Sequence, residues 1–244
     1  MRQGQTLVGT AVEHQNPEHV AVPRFWVQED AVVKLLGGTS GPTCLCYKDV
    51  TSSTNQRTMI AAFVPLAGVM NSAPIVLVGD SIAPTLHCCL LANLNSLAYD
   101  YVARQKVGGL HLNFFIVEQL PTLPPDAYAK RCPWDKRQTL EKWVSDRVLK
   151  LTCTANDMIP LAKAAGLEPP VHKWREDERA ELLADLDAAY FLLYGLERED
   201  AAYILSTFQG AGGPEPGLID ALSPAERVLR AYDRLREASR SRAR

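Results

Sequence analysis

The amino-acid sequence predicts a mixed α/β domain followed by an α-helical domain, with the change near Pro124 and Pro125. Residues 1–125 hold seven Lys or Arg and eight Asp or Glu, whereas residues 126–244 hold nineteen and twenty. Short segments with strand-like patterns precede the two prolines, and longer segments with apolar residues at helical spacing follow them. We therefore expect an α/β domain over 1–125 and a helical region suited to support or dimerisation over 126–244.

Short elements open the first region. Residues 5–14, which are rich in Val and Thr, and residues 19–22 are candidate strands. The aromatic residues Phe25 and Trp26 are typical of a hydrophobic core rather than of a base-stacking platform. Residues 28–36 then have the apolar spacing of a short helix, which a glycine pair ends.

Three further strands and a long helix complete the domain. The strands are predicted at 43–50, 58–64 and 75–78, each next to turn-forming residues. Residues 84–104 have leucines on one helical face and begin at a proline, so we expect a single helix that packs against the sheet. His87 on this helix is interpreted as structural, because no partner stands at metal-ligand spacing.

A polar loop separates the first two of these strands, at residues 51–57. Its hydroxyl and amide side chains can bond to phosphate oxygens and base edges, and arginine can grip guanine through two hydrogen bonds. The contact candidates in the loop and at its edge are Lys48, Thr51, Ser52, Ser53, Asn55, Gln56 and Arg57. A capped helical turn, in which Ser and Thr bond to the backbone, explains the same composition equally well.

A basic glycine turn follows the long helix, at residues 104–113. It supplies four more contact candidates, Arg104, Lys106, His111 and Asn113. Paired glycines beside cationic side chains can hold an oxyanion, although the turn matches neither GxGxxG nor a P-loop. A helix C-cap with a solvated basic edge is the alternative.

The second region reads as a series of amphipathic helices. They are predicted at 133–154, 158–165, 175–194 and 198–208. Residues 209–222 are glycine- and proline-rich and are interpreted as a flexible linker. Ser223 and Glu226 form a capping box at the start of a last helix, which ends in a basic tail.

Several classes of chemistry lack support in the sequence. There is no glycine-rich S-adenosylmethionine loop, no Asn-Pro-Pro-aromatic motif, no HExxH and no GxSxG, so no catalytic residue, cofactor site or metal site is assigned. The six cysteines lack metal-ligand spacing and are interpreted as buried, reduced thiols of a cytoplasmic protein. No apolar run is long enough for a membrane span. The net charge of -2 means that any nucleic-acid contact must come from a local basic cluster or from a partner.

Four stretches of the chain carry a resemblance to a known group of proteins. They are PRFWV, KDVTSSTNQRTMIAAFVP, LLANLNSLAYDYVARQKVGGLHLNFFIVEQLPTLPP and LDAAYFLLYGLEREDAAYIL, spread over residues 20–208. The sequence here resembles the C-terminal region of adenine-specific DNA methylases from restriction-modification and phage-defence systems, of the type IIG-like, DISARM and BREX kinds. It is also similar to the recognition domains of type I specificity subunits.

The resemblance implies a target-recognition domain that reads double-stranded DNA and is followed by helices. The S-adenosylmethionine cofactor would bind a methylase domain that precedes such a region, or a separate methylase subunit, and that partner would carry out adenine-N6 methylation. We therefore expect this chain to be either a fragment of such an enzyme or the product of a split gene.

Two other functions fit parts of the sequence. A structural assembly module would bind a partner protein through its charged helices, and its two polar loops would be solvated turns on different faces. An independent enzyme would use His111 with a nearby acid or cysteine, but no motif supports that geometry.

Overall fold

The chain combines a small antiparallel sheet with a larger set of helices. The computed structural model describes residues 10–20, 25–36, 41, 43–79, 81–208 and 222–241. The strands are β1 (Thr43–Tyr47), β2 (Ala61–Pro65) and β3 (Ile75–Val76). The helices of the N-terminal half are α1 (Ala11–Gln15), α2 (Glu29–Leu35), α3 (Pro84–Asn95), α4 (Leu97–Lys106) and α5 (Phe114–Val117). The helices of the C-terminal half are α6 (Pro125–Tyr128), α7 (Leu140–Thr152), α8 (Ile159–Ala164), α9 (Glu176–Leu193), α10 (Arg198–Ser206) and α11 (Pro224–Ser241).

The sheet has the order β2-β1-β3, and both pairings are antiparallel. Leu45 in the central strand pairs with Phe63 on one side and with Val76 on the other. The predicted mixed α/β class is therefore confirmed at this coarse level. Strand β2 begins at Ala61, three residues later than expected, because the N–H groups of Thr58 and Met59 donate to the carboxylate of Asp100.

The helix predicted over 84–104 is two helices, which is a correction to the sequence interpretation. Ser96 has an extended backbone between α3 and α4, and its hydroxyl accepts a hydrogen bond from the N–H of Tyr99. The N–H of Leu97 donates to the carboxylate of Asp187 at 2.7 Å, so a side chain from α9 caps the second helix.

The two ends of the chain also differ in part from the expectation. Residues 11–14 are helical rather than extended, because Thr10 and Glu13 form a capping box at the start of α1. Residues 5–9 of that predicted strand lie outside the described residues. The predicted linker, apart from residue 222, and the last residues of the basic tail also lie outside them.

A hydrophobic cluster of the described residues extends from the sheet to the last helix and includes residues from both sides of Pro125. Helix α3 packs against α7, α4 packs against α9, and α9 packs against α11. The hydroxyl of Tyr190 in α9 donates to the carbonyl of Cys89 in α3 at 2.8 Å. The division at Pro125 therefore stays a prediction, and extensive packing crosses it. Among the described helices, none is long and apolar enough to cross a bilayer.

Candidate nucleic-acid interface

The two polar segments singled out in the sequence lie side by side in the structure. Val50 and His111 form an isolated antiparallel bridge. On its two sides, the N–H of Thr51 donates to the carbonyl of Leu110 at 2.9 Å and the N–H of Leu112 donates to the carbonyl of Asp49 at 2.8 Å. We call loop 51–57 together with turn 104–113 the loop pair.

Thr51 holds the first loop together from inside. Its side chain is buried, and its hydroxyl donates to the carbonyl of Thr58 at 2.8 Å and accepts a hydrogen bond from the Asn55 amide at 3.4 Å. The hydroxyl of Ser52 bonds to that of Thr54 at 2.9 Å. The loop contains no helix, so no Ser or Thr caps one there. These residues do form local hydrogen bonds, as expected if the loop is a turn held by its own side chains.

Arg57 is turned toward the interior of the protein. Its guanidinium donates to the carbonyl of Asn95 at 3.0 Å and to the carboxylate of Asp187 at 3.2 Å. Asp187 is almost fully buried, and burial raises the pKa of its carboxyl while the nearby Arg57 lowers it. Arg57 therefore connects the end of the loop to α9, a role that the sequence alone did not indicate.

Arg104 fastens the loop from the other side. Its guanidinium donates to the carbonyls of Asn55 and Gln56 at 2.6 and 2.8 Å. The same group lies over the ring of Phe208, with 3.9 Å between the guanidinium carbon and the ring centroid. Burial lowers the pKa of Arg104 and the carboxylate of Asp100 opposes that shift. Arg104, which the sequence interpretation expected to face DNA, thus donates its hydrogen bonds to the protein backbone.

The remaining contact candidates lie on the loop pair, or at its edge in the case of Lys48, and are open to solvent to different degrees. Exposed side chains belong to Lys48, Asn55, Gln56, Lys106, His111 and Asn113, and Ser53 is partly exposed. The imidazole of His111 is 57% exposed and its Nδ1 lies 2.7 Å from the carboxylate of Asp49, which orients the ring. The solvent-accessible polar groups of this surface are therefore two lysines, one histidine, amides and a hydroxyl.

An apolar patch adjoins the loop pair and was missed by the sequence interpretation. Leu110, Phe114 and Phe115 are 68%, 67% and 52% exposed, and the two phenylalanine rings contact each other edge to face. Val50 is 47% exposed at the bridge between the segments. The sequence did contain a sign of this patch, since two adjacent aromatic residues directly follow the polar Asn113. Neighbouring side chains on a helix point in different directions, so a four-residue helix cannot bury both rings against one neighbouring element.

The six cysteines do not support a nucleophilic or a metal-binding role. All six are buried, which confirms their interpretation as small core residues, and burial raises their pKa values, for Cys46 to about 11 and for Cys153 to about 12. Within the described part of the chain, no group of three or more His, Cys, Asp and Glu side chains is placed to hold a metal ion. The Nε2 atom of His87 is buried, and burial lowers the pKa of the ring.

Comparison with known proteins returned no relative: no protein-family model matches the chain, and neither a curated protein nor a solved structure matches it.

Proposed function

We propose that this chain is the DNA sequence-recognition part of an adenine-N6 DNA methyltransferase from a restriction-modification or phage-defence system. A methylase domain or subunit, with its S-adenosylmethionine, would act together with it. The observation that supports the proposal best is the bridge between Val50 and His111. It brings loop 51–57 and turn 104–113, the two segments that carry the contact candidates, together on one surface.

The exposed side chains of the loop pair divide by their chemistry. Lys48 and Lys106 would contact phosphates, because an ammonium group is a point charge without base preference. Gln56, Asn113 and Asn55 carry amides, which present a donor and an acceptor to a base edge. Arg57, Arg104 and Thr51 would position the loop, since their polar groups already bond within the protein.

The proposal is tested by binding the full chain to a pool of random-sequence duplexes at several salt concentrations. Lys48→Ala combined with Lys106→Ala should weaken binding to all duplexes alike and reduce the salt slope by about two. Gln56→Ala and Asn113→Ala should each cost about 1 to 3 kcal/mol at one base position and leave the salt slope unchanged. Lys163→Ala, an exposed lysine on α8, is the matched control. Equal salt slopes for the control and the double variant would reject this surface as the DNA contact.

A second candidate function is an assembly module without base readout. The exposed rings of Phe114 and Phe115, which contact each other, favour it, because adjoining exposed apolar side chains mark protein interfaces. The bridge between Val50 and His111 speaks against it, because an assembly module was expected to place the two polar loops on different faces. This function predicts that Phe114→Ser with Phe115→Ser abolishes binding to the methylase partner, while the lysine variants leave that binding unchanged. Loss of duplex binding in the lysine variants, with partner binding retained, distinguishes the two functions, since only sequence recognition requires that contact.

A further inference from the structure

A cavity of about 340 Å³ lies between β2, α3, α7 and α9, on the inner side of the Arg57–Asp187 ion pair. Much of its wall is apolar, with Phe63, Leu91, Val148 and Leu186 among the lining residues. Leu183 also lines it and is 46% exposed, so the cavity reaches solvent. A volume of this size, with apolar walls and few polar groups, is typical of a small-molecule site.

Three charged residues line the cavity: Arg57, Asp187 and Arg179. The first two form an ion pair with each other, so their charges compensate. Arg179 donates to the carbonyl of Leu151 at 2.7 Å, and no carboxylate of the described residues lies within ion-pair distance of it. The lining therefore carries one positive charge without a paired counter-charge.

Packing fixes the Arg179 guanidinium in place. It lies over the ring of Trp174, with 3.5 Å between the guanidinium carbon and the ring centroid. The ring of His14 stacks on the same Trp174 ring, with 4.1 Å between the two ring centroids. Burial lowers the pKa of Arg179, and the nearby carboxylate of Glu176, which accepts a hydrogen bond from Trp174 Nε1 at 2.7 Å, opposes that shift. Pre-positioning of this kind reduces the entropic cost of binding an anion.

Two hydroxyl groups add to the polar part of the wall. Thr152 and Thr154 line the cavity, and the described structure gives neither hydroxyl a hydrogen-bond partner. Hydroxyls and a guanidinium are donors that suit the oxygen atoms of an acid group. The apolar residues on the rest of the wall suit a hydrocarbon or aromatic body.

We propose that this cavity binds a small amphipathic organic anion, with its acid group at Arg179 and its apolar body against the leucine and phenylalanine side chains. The ligand would not stack on Trp174, because His14 and Arg179 already lie against that ring. The proposal is independent of DNA recognition, since its key residues lie on α7, on α9 and in the segments that follow α7 and precede α9.

The test uses two fluorescent probes that share a similar apolar body. Anilinonaphthalene sulfonate carries an acid group, and phenylnaphthylamine lacks one. We expect one sulfonate probe to bind each full chain, with an affinity at least about ten-fold higher than that of the neutral probe. Its binding should also quench the tryptophan fluorescence of Trp174. Equal affinity for the two probes would overturn the proposal without the use of any variant.

Three variants locate the bound probe. Arg179→Gln should weaken sulfonate binding by roughly ten-fold and leave the neutral probe unaffected. Ala62→Phe should block both probes, because Ala62 lines the cavity from the solvent-exposed side of β2, where a larger side chain does not disturb the core. Phe114→Ser, on the apolar patch beside the loop pair, should change neither affinity. Sulfonate binding that survives Ala62→Phe or is lost in Phe114→Ser would place the probe elsewhere and refute the site.

Discussion

Arg57 and Asp187 are 130 residues apart in sequence, and the guanidinium of one lies 3.2 Å from the carboxylate of the other. The second carboxylate oxygen of Asp187 accepts the N–H of Leu97 at 2.7 Å. One buried side chain on α9 thus holds both the end of loop 51–57 and the start of α4. The position of loop 51–57 therefore depends on a residue of α9 as well as on hydrogen bonds within the loop.

The first prediction concerns the stability that this ion pair provides. Arg57→Ala should lower the free energy of unfolding by about 2 to 4 kcal/mol, because it leaves the buried carboxylate of Asp187 without its cation. Urea unfolding monitored by circular dichroism measures the change. Lys106→Ala removes an exposed cation that makes no ion pair within the described residues, and it should change stability by no more than about 0.5 kcal/mol.

A double-mutant cycle isolates the contact itself. Asp187→Asn removes the charge that Arg57 faces, so the loss caused by Arg57→Ala should be smaller in that background. Strictly additive losses would mean that the two side chains do not interact energetically, and Arg57 would again be available as a DNA contact.

The second prediction separates two neighbouring contact candidates. Thr51→Val should destabilise the protein by about 1 to 2 kcal/mol, because the buried carbonyl of Thr58 loses its donor. Ser53→Ala should leave stability unchanged, since the Ser53 hydroxyl makes no hydrogen bond within the described residues. Thermal unfolding of the two variants beside the wild type provides the measurement. If Ser53→Ala destabilised the protein as much as Thr51→Val, the described hydrogen bonding of the loop would be incorrect.

Local patterns in the sequence were sufficient to predict many elements. The capping box of Ser223 and Glu226 is present at the start of α11, where the hydroxyl of Ser223 donates to the Glu226 carboxylate at 2.8 Å. Helix α9 lies within one residue of its predicted bounds at each end. These features depend on residues three or four positions apart, so a short window of sequence contains the interactions that determine them.

The features that were missed depend on residues far apart in the chain. The apolar spacing continues through Ser96, so a short window indicates one helix, whereas the break is capped by Asp187 from 90 residues away. The inward direction of Arg104 is determined in the same way, by the ring of Phe208 and by the carbonyls of the loop. Candidate contacts could be selected by residue type, but their exposure required the tertiary structure.

The third prediction is a pH dependence at the start of α11. Hydrogen bonds from the backbone and the hydroxyl of Ser223 lower the pKa of Glu226 below its ordinary value of 4.5. A carboxyl with a lower pKa in the folded state stabilises the fold above its unfolded pKa, and this contribution is lost as the pH falls through the folded pKa. The stability difference between the wild type and Glu226→Gln should therefore shrink when the pH is lowered from about 6 to about 3.

Chemical denaturation at a series of pH values measures that difference. Glu237→Gln, a change on the same helix at a carboxylate that makes no hydrogen bond or ion pair within the described residues, is the matched control. A difference that stayed constant across the acidic range would mean that the capping carboxylate does not contribute through its charge.

The fourth prediction concerns the boundary at Pro125. Tyr190 is fully buried, and its hydroxyl donates to the carbonyl of Cys89 and lies 3.0 Å from the hydroxyl of Tyr128. Tyr190→Phe should cost about 1 to 2 kcal/mol, because the buried carbonyl of Cys89 loses a donor. Tyr203→Phe, at a ring that is 64% exposed, should have no such effect.

A truncated chain tests all of the packing between residues 1–125 and the helices that follow them. Residues 1–125 alone would expose the side of α3 that packs against α7, where Cys88, Cys89 and Leu91 are buried in the full chain. We expect this fragment to lack a cooperative thermal transition and to show poorly dispersed amide resonances, because its small sheet cannot bury enough apolar surface by itself. A fragment that melted cooperatively with a dispersed spectrum would establish residues 1–125 as a domain in its own right, and the packing across Pro125 would then be a contact between two folded units.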